Sequence, residues 1–218
     1  MDWFPLLLSL RVASLATLMA AVLGIGGAYL LAKGRFPGRG LLEAVASLPI
    51  VLPPTVLGYY LLVVLGARSP VGRAWESVFG GPLVFSVTGA VVAATVSALP
   101  FCLRTARAAI EQVDPRVEAA ARTLGLPEWR VALQVTLPLA RRGVIAGVAL
   151  GFARALGDFG ATVMVAGNIP GRTQTMPIAV YDAVQAGDDA RAGTLALILA
   201  VVAVAVLLLV NRFSRAGV

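Results

Sequence analysis

Long apolar runs constrain this chain more than any single motif does. A helix needs about 20 apolar residues to cross the hydrocarbon core of a bilayer. Five segments reach that length, at about 6–32, 41–66, 83–103, 140–167 and 193–211, the second of them interrupted by Pro49, Pro53 and Pro54. The first run carries Asp2 ahead of it, has no basic start and is too long for a signal-peptide core, so it reads as a retained span. The expectation is an all-α integral membrane protein with five transmembrane helices per subunit, residues 1–218 forming one domain. Composition agrees: 59% of the 218 residues are hydrophobic and only 13% charged, about half the charged share of a soluble domain.

The net charge of +7 is a topology signal, because basic residues collect in cytoplasmic loops. Lys33, Arg35 and Arg39 follow the first run. Arg104, Arg107, Arg116, Arg122, Arg130, Arg141 and Arg142 fall in 104–142, and Arg212 and Arg215 lie in the tail. Those alternate regions hold twelve of the 18 basic residues, against four (Arg68, Arg73, Arg172 and Arg191) on the other side. The N-terminus is therefore expected outside and the C-terminus in the cytoplasm of a multi-pass protein, with no role for nucleic acid. Trp3, Trp75, Trp129 and Tyr181 fall near run ends, where aromatic belts sit.

Several chemistries are excluded. The chain has no His and a single Cys, Cys102, so imidazole metal sites, serine triads and cysteine clusters are absent. Its single Lys is followed by Gly34 and Arg35, which is not the Gly-Lys-Ser/Thr of a P-loop. No catalytic residue, metal site or cofactor is expected in this chain.

The loop 104–139 is the most informative stretch. Asp114-Pro115 is a helix start, since Asp caps and Pro suits the first helical position. The helix is expected over 116–124, ending at Gly125, with Val117, Ala121 and Leu124 on one face and an i, i+4 pair between Glu118 and Arg122. A second short helix should start at Pro127, and Pro138 should interrupt the chain where the fourth span begins. The small Ala119, Ala120 and Ala121 allow another surface to approach closely.

The string EAAARTLG (118–125), nine residues, then VTLP (135–138) resembles the EAA loop of ABC importer permeases, in which the loop docks into a cleft on a separate ATPase subunit. The resemblance maps a coupling role onto Glu118, Ala119, Ala120, Ala121, Gly125 and Leu126. It implies the type I ABC importer permease fold, a second copy of the chain, two ATP-binding cassette subunits carrying ATP and Mg, an extracytoplasmic molybdate-binding protein, and a bacterial or archaeal inner membrane. One departure is that Glu118 stands seven residues before Gly125, where the common pattern has six. LPIVLPPTVLGYYLLVVLG (48–66) and GFARALGDFGATVMVAGNIPGRTQTMPIAVY (151–181) look like the molybdate permease family over nearly the whole chain, with Asp158 where that family has Glu. Sulfate and thiosulfate permeases share some of these pieces, so the same machine carrying sulfate, thiosulfate or tungstate is the nearest alternative. An ion-coupled transporter or channel is more distant, because it would want acids along a relay and Asp158 is the main candidate within the spans.

Pathway candidates come from residues that break or charge the spans. Pro53 and Pro54 free carbonyls at membrane depth, tolerable only against protein or a watery path, so Thr55 and Gly58 are candidates for the path or for a packed kink. Arg154 and Asp158 stand i, i+4 within the fourth run and either pass a dianion or neutralise each other. Gly143, Gly147 and Gly151 form a helix-packing face, and Cys102 reads as a small core residue. Asn168 to Gly171 is a turn, followed by a short amphipathic helix over 177–185.

Overall fold

The computed structural model describes residues 2–215, with side chains through residue 209; the side chains of Arg212 and Arg215, assigned above to the tail, lie outside the described residues. Eleven helices are present among the described residues: α1 (Phe4–Lys33), α2 (Arg39–Val51), α3 (Pro54–Leu65), α4 (Pro70–Phe79), α5 (Val87–Glu111), α6 (Pro115–Thr123), α7 (Glu128–Val131), α8 (Leu137–Leu156), α9 (Gly160–Ala166), α10 (Met176–Gln185) and α11 (Asp189–Arg215). A π-helical segment, Ala132–Thr136, joins α7 to α8. Four helices are long and apolar enough to cross a membrane (α1, α5, the continuous run Glu128–Leu156, and α11), and the bent pair α2–α3 has the length and apolarity of a broken span or a re-entrant loop.

The differences from expectation have local causes. The second run is not a straight span: the chain bends by 119° between α2 and α3. Pro49 lies inside α2 without ending it. The tandem Pro53-Pro54 makes the break, because a residue before proline is pushed to extended backbone, and both Leu52 and Pro53 have ψ of 137°. The third span starts later and ends later than 83–103. Ser86 accepts from the Gly89 amide at 3.1 Å and caps α5, and the helix runs to Glu111, so the coupling loop begins well after residue 104. The fourth run is interrupted at 157–159, between α8 and α9.

Pro138 does not interrupt the helix. A proline ring clashes with the carbonyl four residues back, here at Gln134. That residue lies in the wide π turn, where the Leu137 amide bonds to the Ala132 carbonyl instead, so the helix passes through. Helix α4 was not foreseen; Ser69 caps it, accepting from the Gly72 amide at 2.8 Å.

The core is built on small residues. Helices α1, α5 and α8 pack on one another around Ala13, Ala16, Ala20, Ala94, Ala98 and Cys102. Gly143 abuts Ala109 of α5, and a side chain at Gly147 would meet Thr105 at 3.1 Å, so the glycine face of α8 serves packing within the chain. Without water to drive burial, close van der Waals approach of small residues is what holds such helices together.

The two ends of the bundle are distinct. The Met176 amide donates to Ser9 Oγ at 2.7 Å, which fixes α10 near the start of α1. Lys33, at the other end of α1, contacts α6. The 24-residue separation amounts to about 36 Å along a helix, comparable with a bilayer's thickness.

Candidate functional site

Two features are candidates: a compact helical knob at the Lys33 end, and a cavity where the broken helices meet.

The knob begins as the sequence predicts. Asp114 caps α6 by accepting from the Arg116 amide at 2.8 Å. The helix ends before Gly125, whose φ of +83° suits glycine. The expected Glu118–Arg122 pair does not form. Glu118 is 3% exposed; its Oε2 lies 2.9 Å from Lys33 Nζ and its Oε1 accepts from Thr136 Oγ1 at 2.7 Å. Arg122 turns instead to Glu128, Nε to Oε1 at 2.6 Å, and that carboxylate raises the guanidinium pKa above its ordinary value. A buried carboxylate needs charge and hydrogen bonds on its oxygens, which a solvated i, i+4 arginine supplies less completely than Lys33 and Thr136 do.

Of the expected apolar face, only Ala121 is buried. Val117 is 46% and Leu124 81% exposed, and Ala119, Ala120 and Gly125 are exposed beside them, with Leu126 partly covered. The knob therefore buries its acid at the root and presents small and apolar groups outward, the reverse of a solvated amphipathic helix. Exposed apolar groups gathered in this way mark an interaction surface.

The cavity, about 500 Å³, is lined by Pro54, Thr55, Phe101, Arg154, Phe159 and Gly160 among others. It thus brings together three of the sequence-derived pathway candidates, Pro54, Thr55 and Arg154. Pro53 is exposed at the same break. Gly58 lies elsewhere: it is buried against α9, where an added side chain would meet Met164 at 2.7 Å.

Asp158 stands behind Arg154 in the α8–α9 break, fully enclosed. Its Oδ1 accepts from Arg154 at 2.9 Å and from Ser97 Oγ at 3.1 Å. Its Oδ2 accepts from the Thr162 amide at 3.1 Å and the Thr162 hydroxyl at 2.6 Å. Asp158 thereby does a cap's work for α9 and holds one edge of the guanidinium. Arg154 remains partly exposed at the cavity wall.

Sequence reasoning did not single out Lys33, Thr136, Ser97 or Thr162 as partners. Thr162 was findable, since it stands i+4 from Asp158. Lys33 is 85 positions from Glu118, and no local spacing links them.

Comparison with known proteins agrees with the motifs. Residues 14–216 match the family described as "Binding-protein-dependent transport system inner membrane component". The molybdenum transport system permease protein ModB of Escherichia coli (strain K12) is 46% identical over 98% of this chain and 94% of that protein. A sulfate transport system permease protein, CysW of Synechocystis sp., is 36% identical over 93% of this chain and 73% of its own length. Among solved structures, an inward-facing MetNI methionine ABC transporter superposes with a TM-score of 0.75 at 19% identity, covering 99% of both chains; it shares the fold. The expected all-α importer fold and the molybdate-permease resemblance are both borne out. The chain belongs to the family of inner membrane components of binding-protein-dependent transport systems, and is a membrane permease of the molybdate type that its motifs resemble.

Proposed function

We propose that two copies of this chain assemble about a two-fold axis into the pathway of an ATP-driven molybdate importer. Two ATPase subunits dock on the α6 knobs, and a molybdate-binding protein docks on the face carrying the 168–188 segment. The N-terminus lies outside and the C-terminus in the cytoplasm. One observation carries the reading: α6 is anchored through buried Glu118 while Val117, Ala119, Ala120 and Leu124 stand exposed, the form expected of a rigid element that fits a partner's cleft.

Energy comes from the partner. ATP binding closes the ATPases and carries the knobs with them, and the spans rock from inward-open to outward-open. The ATPases shift this equilibrium only by binding the two states differently. The chain itself has no P-loop and acts as conduit. The oxyanion passes the cavity at Arg154 and Thr55. Asp158 already neutralises much of the guanidinium charge, which suits an anion that must bind weakly enough to leave.

The sulfate reading has one observation behind it, the 36% identity with a sulfate permease; both anions are tetrahedral and doubly charged. ATPase activity of the reconstituted complex, titrated with molybdate, tungstate and sulfate, separates the two. Stimulation by molybdate and tungstate but not sulfate is expected. Stimulation by sulfate alone would keep the machine and change the cargo, and failure to associate with any ATPase would remove the docking role of α6.

A further inference from the structure

Three side chains from distant parts of the chain meet at the root of the knob. Lys33 ends α1, Glu118 belongs to α6, and Thr136 closes the π turn that leads into α8. Both oxygens of Glu118 are taken, Oε2 by Lys33 at 2.9 Å and Oε1 by Thr136 at 2.7 Å. Thr136 is fully buried and Glu118 nearly so. The nearest helical alternative, Arg122, is held by Glu128. Glu118 therefore faces into its own chain.

The partners lead to α1 and α8. Helix α1 packs against α5 and α8, and Thr136 continues directly into α8, which carries Arg154 to the cavity. The rest of the knob is joined to the bundle by short connections at 112–114 and 124–127, the second containing the left-handed Gly125. A push on α6 alone would be absorbed there by backbone torsion. A hydrogen-bonded ion pair whose carboxylate is buried resists that, because breaking it strands the Glu118 charge.

We propose that Lys33, Glu118 and Thr136 form a transmission joint that makes the docking helix move as one body with α1 and α8, with Lys33 the positioning residue that delivers the movement to α1. The inference rests on the reading of α6 as the ATPase-docking element. It assigns Lys33 a role in coupling rather than in assembly.

The test uses the full complex in proteoliposomes, with molybdate uptake and ATP hydrolysis measured together. In Lys33→Met the ATPase still copurifies and hydrolyses ATP, but uptake per ATP falls roughly tenfold, within the usual span of coupling between sites. Lys33→Arg retains coupling, and exchanging the pair (Lys33→Glu with Glu118→Lys) recovers part of it. A purely structural role would lower the yield of complex and leave uptake per ATP unchanged, which would overturn the joint. Lys33 is the chain's only lysine, so amine modification located by mass spectrometry on the peptide that carries it is a second readout that needs no Lys33 variant. Its ε-amine should react more slowly in the wild-type complex than in Glu118→Gln, both at rest and with nucleotide trapped. Equal rates, or fast reaction in the trapped state, would show that the pair opens and would overturn the proposal. Should the wild-type chain recruit no ATPase, the docking reading falls and the joint with it. A fully coupled wild type with equally coupled Lys33 variants rejects the joint alone.

Discussion

At the residue scale, the two buried acids solve the same problem with different partners. Asp158 takes three hydrogen bonds and an arginine; Glu118 takes a lysine and a threonine. Removing Asp158 strands Arg154 and the Thr162 hydroxyl. Asp158→Ala should destabilise the fold by about 3 kcal/mol, at the low end for a broken buried pair because Arg154 keeps some solvent. Thermal unfolding of the detergent-solubilised protein checks this, and Asp158→Asn, which can still accept from Thr162, should lose less. Arg154→Leu leaves the helix break capped but strands the enclosed Asp158 carboxylate, so a lower melting temperature should accompany the loss of molybdate uptake; uptake normalised to membrane yield separates pathway from packing. The i, i+4 spacing made the Arg154–Asp158 pair readable from sequence. The same spacing misled at Glu118 and Arg122, because burial of Glu118 favoured partners that local periodicity does not reveal.

At the scale of elements, prolines and glycines set the punctuation, and their effect depends on the neighbours. Pro53-Pro54 breaks the second run, while Pro49, Pro100 and Pro138 sit within or at the start of continuous helices. Gly125 allows the chain to turn after α6, with its amide bonded to the Arg122 carbonyl at 2.9 Å. Gly125→Pro removes that donor and forces φ near −65°, so transport should be lost while insertion persists; uptake equal to wild type would show that the turn is not needed. Gly143 abuts Ala109 on α5. Gly143→Leu should overpack the α5–α8 contact at a cost of about 1–3 kcal/mol, measurable as a lower melting temperature without a change in helix content.

At the scale of the whole molecule, the knob and the 168–188 segment stand at opposite ends of the bundle, and the basic-loop count predicts that the knob lies inside. Cys102 is the only cysteine and is 1% exposed, so a single introduced thiol can be followed against little background. Leu124→Cys should react with a membrane-impermeant maleimide only in inverted vesicles, and Arg172→Cys only in right-side-out cells. The reverse pattern would invert the topology and place the docking surface on the wrong side for a cytoplasmic ATPase.

Helical class, the four long apolar spans, the knob's cap and its terminating glycine were legible in the sequence, because each depends on residues within a turn or two of one another or on hydrophobic length alone. The motifs at 118–125 and 151–181 likewise carried the family. Tertiary structure alone decided that Glu118 faces Lys33, that Thr55 and Arg154 share one cavity while Gly58 packs against α9, and that the glycine face of α8 serves α5. Those contacts join segments tens of residues apart. Which of several compatible neighbours a side chain meets is set by how the helices pack, and helical periodicity carries no information about that choice.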